Sequence, residues 1–437
     1  MSELFELTAN EAAEHIRTGK LSAVELTAAC LERISARDET LHAWQIVDAE
    51  GAMTAAKNAD AATNKFGLLH GVPIGLKDII DTADLPTTYG SAAFKNHQPT
   101  AHAECVNVLR EQGAIILGKT VTTEFAFFAP GPTVNPHNPG HTPGGSSSGS
   151  AAAVADFHVP ITLGTQTAGS IIRPASFNGI FGYKPSYDTY SNHGVHPLAP
   201  SLDTLGCFTR SVDDLMLMNT VLGDAPPAKL TAEKPQRLAI VRTPYWSQAT
   251  LDMRHAFDDF VQIAAANDIE IIDAAERIDA LDEMIAEISD AQLSLMALEA
   301  KEILAPLVAK NGDLIRPETK NLMEMGLNAP PNTLEKIATA RTHAEKIVAE
   351  LFDIADVIFT PGALGAAPEG IEATGDPVFN RIWTFARLPC INLPLAKAAA
   401  NLPLGAQLVG NFKQDQQLLA HAKFFEAISP YQIIPPH

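Results

Sequence analysis

The chain reads as an α/β protein, a sheet with helices on both faces. Short apolar runs of strand length alternate with helical stripes through the first half, and long Ala/Glu/Leu-rich helices follow in the second. Composition agrees: 437 residues, 46% hydrophobic and 19% charged, hold enough apolar material for one large domain, or one carrying an insertion.

Two capping boxes open the chain, Thr8 with Glu11 and Ser22 with Glu25. The second precedes the stripe Leu26, Ala29, Cys30, Leu31 and Ile34, which has helical spacing. Strands are expected at 44–47, 72–76, 114–117 and 159–163. Helices are expected at 104–112, with Val106 and Leu109 facing inward, and at about 150–155. Residues 226–237, PPAKLTAEKPQR, read as a linker. Beyond it come strands at 238–242, 269–272 and 357–360, and helices at 254–266, 280–310 and 333–353. Residues 226–350 are therefore expected to form a partly helical layer on a shared core.

A formal net charge of −20 opposes nucleic acid or an anionic membrane surface as a partner, because phosphate is repelled. One buried arginine still leaves room for an anionic substrate. Cys30, Cys105, Cys207 and Cys390 are scattered without CxxC spacing and read as reduced core residues. The N-terminal residues lack a basic segment followed by an apolar one, and no apolar run reaches about 18 residues. A cytoplasmic protein is the expectation, with neither a nucleic-acid nor a membrane partner.

Three pieces carry chemistry. Ser170 stands in GTQTAGSIIRP, after an apolar strand and a run of small residues. Such a turn lets successive backbone N–H groups converge on one point, as a developing oxyanion requires. A serine hydroxyl there stays unreactive until a base takes its proton; a plain Gly/Ser turn is the other reading. Residues 145–149 of GGSSSGS match G-x-S-x-G, which would make Ser147 a nucleophile. The preceding NPHNPGHTPG cannot be the strand such an elbow needs. The serines read instead as a helix N-terminus, Ser147 or Ser148 capping it and Ser146 left at the turn. Lys77, in the apolar run GVPIGLKDII, is either an edge residue reaching water or a buried amine with a lowered pKa.

Taken together, GLKD, PGGSSSGSAAAVA, GTQTAGSIIRPA, GYKPS and SLDTLGCFTRSVDD resemble the amidase signature family. The resemblance implies a single domain over 1–437, with a large mixed central sheet and residues 226–350 as a helical layer inserted in the C-terminal half. It implies hydrolysis of a linear C–N amide bond through an acyl-enzyme. Ser170 would be the nucleophile, Lys77 the general base, and Ser146, after a cis Gly145–Ser146 bond, the proton relay. The N–H groups of Thr167, Ala168, Gly169 and Ser170 would form the oxyanion hole. The substrate would be a small-molecule amide, no cofactor or metal is expected, and a homodimer fits the family.

The motif departs from the usual T-D-T-G-G-S-I-R in three places. Gln166 replaces an acid, Ala168 replaces a glycine, and Arg173 falls three residues after the serine instead of two. This variant is similar to the malonamidase branch, whose corresponding arginine holds a substrate carboxylate. Arg173, with Gly145 and Gln166, is thus expected to bind a small amide bearing a carboxylate. The competing expectation pairs Arg173 with an internal acid such as Asp203. Two other functions stay open: a glutaminase component of an amidotransferase complex, and an inactive binding protein of the same fold. Asp203 and Arg210 are expected to hold the core near the site, and Asn380, Arg381 and Trp383 resemble residues that close the cleft. His137, His141, His193 and His196 read as loop residues, not zinc ligands, and no phosphate loop ends in GK[ST].

Overall fold

A computed structural model describes residues 3–63, 67–223 and 231–436. Eleven strands among them form one sheet. In chain order they are β1 (Trp44–Val47), β2 (Pro73–Lys77), β3 (Ile115–Thr120), β4 (Ile161–Gln166), β5 (Phe181–Lys184), β6 (Thr204–Thr209), β7 (Arg237–Ile240), β8 (Glu270–Asp273), β9 (Val357–Pro361), β10 (Cys390–Lys397) and β11 (Pro403–Val409). Their order in the sheet is β1-β3-β2-β4-β6-β5-β10-β11-β9-β7-β8. β2 runs parallel to β3 and β4, and β7 parallel to β8 and β9, while the strands between pair antiparallel. The sheet is mixed, as the sequence resemblance implies.

Every residue of β2, β3, β4, β5 and β6 is buried, which explains why several strands outrun their apolar patterns. β4 continues through Gly164, Thr165 and Gln166, past the 159–163 expected from hydrophobicity. Lys77 is accordingly the last residue of an interior strand with no exposed surface, not an edge lysine reaching water. β5 and β6 escape pattern reading because glycine, lysine and threonine interrupt them.

Behind this half of the sheet, the helices Ser148–Ala155 and Ile172–Asn178 are buried at every residue. A Cβ on Gly149 would stand 2.1 Å from the Ala43 carbonyl oxygen and 2.5 Å from the Val121 nitrogen. The first turn of that helix therefore touches backbone directly. Both opening capping boxes form. The expected serine cap at the Ser148–Ala155 helix does not. Ser147 Oγ turns inward to donate to the Thr165 carbonyl at 3.2 Å, and Ser148 Oγ donates to the Val121 carbonyl at 3.3 Å. Those hydroxyls tie the loop to β4 and to the end of β3.

The linker expected at 226–237 lies partly outside the described residues, and its last residue, Arg237, already belongs to β7. The long helices Leu281–Asn311 and Thr333–Ile354 pack together with Pro317–Leu327. Among the described residues no helix is long and apolar enough to cross a membrane. The four cysteines are buried and unpaired.

Candidate active site

The site sits where β2 and β4 end side by side. Lys77 Nζ donates to Ser146 Oγ and to Thr165 Oγ1, each at 2.8 Å. Burial pushes this amine down to about 7, and the charge of Asp203 pulls it partly back. The Gly145–Ser146 peptide is cis, as expected. Ser170, 8% exposed, lines a narrow cleft together with Ser146 and the side chains of Phe127, Phe128, Arg173 and Met296. Ser146 and Ser170 thus face one space, without a hydrogen bond between their hydroxyls. Lys77 can serve as a base to the first, and the second is placed to meet a carbonyl carbon.

The turn between β4 and Ser170 is held from several sides. Gln292 Nε2, on the helix Leu281–Asn311, donates to the Thr167 carbonyl at 2.9 Å. Thr384 Oγ1, on the short helix Arg381–Phe385, donates to the Ala168 carbonyl at 2.8 Å. Thr167 Oγ1 donates to Asp203 Oδ1 at 2.5 Å, and Asp203 Oδ2 accepts from the Leu198 and Ala199 N–H groups. Burial lifts this carboxyl to about 6 despite those donors. Among the described residues no protein acceptor takes the N–H groups of Ala168, Gly169 or Ser170. The turn can therefore offer them to an oxyanion.

Gln166 does not reach the cavity. Its Oε1 accepts from the Ile171 and Ile172 N–H groups at 2.9 and 3.0 Å, and its Nε2 donates to Thr384 Oγ1 at 3.0 Å. The amide is spent bracing the turn. An acid at this position could make the first two bonds but not the third, so the glutamine suits the threonine it meets.

Arg173 lines the cavity at 1% exposure. One terminal nitrogen, Nη2, donates to the Gly145 carbonyl at 2.7 Å and to Thr374 Oγ1 at 3.2 Å. Among the described residues its Nε and Nη1 have no hydrogen-bond partner, while the guanidinium lies 5.6 Å from the centre of the Phe128 ring. Asp203 is not its counter-ion, since that carboxylate is taken up by Thr167 and two backbone N–H groups. The nearby Asp376 pairs with Arg381 at 3.3 Å. Burial lowers the guanidinium to about 9, with Asp376 raising it and Arg381 lowering it further.

Other expected residues fall elsewhere. Arg210 lies at the opposite end of β4, donating to the Leu7 and Val159 carbonyls, and clasps the N-terminal segment instead of the site. Asn380 and Trp383 are buried beneath the turn, Asn380 donating to the Gly362 carbonyl at 3.0 Å. His137 and His141 meet the Asn178 and Ala367 carbonyls. Among the described residues no group of three or more potential ligands could hold a metal ion. Sequence reading passed over Thr165, Gln292, Thr374 and Thr384. Thr165 lies within a motif, its signal being adjacency to the serine turn, and Thr384 directly follows Trp383, one of the residues expected to close the cleft.

Residues 25–419 match the family described as Amidase, and the chain belongs to the amidase signature family of amidohydrolases. It is 32% identical to the A subunit of glutamyl-tRNA(Gln) amidotransferase from Geobacter sp. (strain M21), over 97% of both chains. A match to the same component in Acidothermus cellulolyticus (strain ATCC 43068 / DSM 8971 / 11B) is 43% identical, over 53% of this chain and 48% of that one. That alignment spans about half the length of the relative. A solved crystal structure of an amidase superposes with a TM-score of 0.86 at 27% identity, covering 97% of this chain and 100% of the other.

Proposed function

We propose that the protein hydrolyses a linear C–N amide bond of a small molecule bearing a carboxylate, through an acyl-enzyme on Ser170. The observation that carries this reading is the buried Lys77 amine, 2.8 Å from Ser146 Oγ and lowered to about 7, beside a cavity that Ser146 shares with Ser170. In its neutral form Lys77 takes the Ser146 proton while Ser146 takes that of Ser170. The Ser170 oxygen bonds to the amide carbon, and the carbonyl electron pair moves onto oxygen, facing the N–H groups of Ala168, Gly169 and Ser170. Collapse breaks the C–N bond as the proton returns through Ser146 to the leaving nitrogen. Water then repeats the sequence on the ester, releasing the acid and restoring Ser170. We assign Gln166 to bracing the turn, not to substrate contact.

The carboxylate is read from Arg173. Among the described residues this buried guanidinium has two nitrogens without a hydrogen-bond partner and no carboxylate within ion-pair distance, which leaves donors for an anionic ligand. Malonamate and succinamate carry the required amide and acid, and propionamide is the neutral control. With Arg173→Leu, kcat/KM for the acidic amides should fall about 100-fold, a charged hydrogen-bond's worth, and change little for propionamide. Equal losses on both would remove the carboxylate from the reading.

The full-length similarity to an amidotransferase component favours a second reading, a glutaminase working within a complex. Ammonia release from glutamine exceeding that from malonamate, with co-purifying partner chains, would select it. A fluorophosphonate adduct on Ser170 that vanishes in Lys77→Ala separates both from an inactive binding protein of this fold.

A further inference from the structure

We infer that Gln292 is a positioning residue of the oxyanion turn, a role that rests on the Ser170 reading and deepens it. Each peptide unit carries its carbonyl and the following N–H on opposite sides. A donor that captures the Thr167 oxygen from outside therefore aims the Ala168 N–H the other way. Gln292 supplies that donor at 2.9 Å. Thr384 does the same for the next unit, holding the Ala168 oxygen at 2.8 Å and so aiming the Gly169 N–H. Two N–H groups of one turn are thus set by side chains from two helices far apart in sequence.

A second observation separates positioning from packing. Gln292 has no exposed surface, and among the described residues its Oε1 has no hydrogen-bond partner. A half-satisfied amide in a core weakens the fold relative to an aliphatic side chain of similar size. The bond to Thr167 is the one hydrogen bond the side chain makes among the described residues. One helical turn later Met296 reaches the cavity wall, so this face of the helix Leu281–Asn311 bears directly on the site. Leucine at 292 would keep the apolar packing and lose only the aim of the N–H group.

Fluorophosphonate labelling tests this without knowledge of the substrate, because the phosphoryl oxygen of the adduct forms against the same N–H groups. In Gln292→Leu the maximal labelling rate should fall about 10–100-fold, short of the loss from deleting an oxyanion donor outright. The half-saturating probe concentration should stay within about two-fold and Tm should be equal or higher. Gln292→Glu, ionised and without a donor, should slow labelling likewise. Unchanged rates in both variants overturn the inference, as does a rate loss that merely tracks a fall in Tm. No adduct on the wild type, or one that persists in Ser170→Ala, would instead overturn the Ser170 reading beneath it.

Discussion

Lys77 acts in a protein interior that disfavours its charge, and this gives the pH profile a definite sign. The neutral amine is the form that can accept a proton. Activity should therefore be lost as pH falls through about 7 and level off above it. The negative charge of Asp203 is what keeps the amine from dropping further. Asp203→Asn removes that charge, so the acid limb of log kcat/KM should move to lower pH, even if the lost Thr167 contact lowers the plateau. A limb that stays in place, or moves up, would mean that another group titrates there. That Lys77 and Ser146 meet, and that Ser170 lines the same cleft, was legible because each stands in a dense motif at a family spacing. Thr165 was hidden by the early end assigned to β4. Gln292 and Thr384 were hidden because a lone polar residue in a helix carries no sign of the carbonyl it will meet.

Close packing of backbone on backbone sets the tolerance of the Ser148–Ala155 helix. The atoms nearest a Cβ on Gly149 are the Ala43 oxygen and the Val121 nitrogen, neither of which can swing away as a side chain would. Gly149→Ala should lower stability by about 1–3 kcal/mol, the range typical of overpacking, and retract Ser146 from Lys77. Thermal unfolding and labelling of Ser170 should both report it, and an unchanged Tm would show that the helix can shift. The capping expectation failed at this same helix for a related reason. Its N-terminus is buried, and its serine hydroxyls find carbonyls of neighbouring segments closer at hand than their own helix N–H groups.

The mixed sheet explains how distant segments reach one site. β7 and β8, which lie within 226–350, extend the sheet that β2 and β4 begin, so that region contributes strands as well as helices. We regard residues 1–437 as one domain on this basis. Alternation of strand and helix was enough to read the α/β class, because strands such as β2 and β4 carry apolar runs, even though the interior β5 and β6 do not. The order of eleven strands was not readable, since pairing depends on contacts that no local pattern records. Among the described residues, the helix Leu281–Asn311 connects the later half of the chain to the turn before Ser170.

The buried cation at Arg173 sits inside a chain whose formal charge is −20. For an acidic amide, the long-range field opposes encounter while the last few ångströms reward it. Added salt screens the first, over a Debye length of about 8 Å at 0.15 M, and barely reaches the second. Raising ionic strength from about 10 to 150 mM should therefore increase kcat/KM for malonamate and leave propionamide unmoved, the reverse of an enzyme that steers its substrate in. A decrease would reveal a local positive field at the cavity mouth that outweighs the rest of the surface.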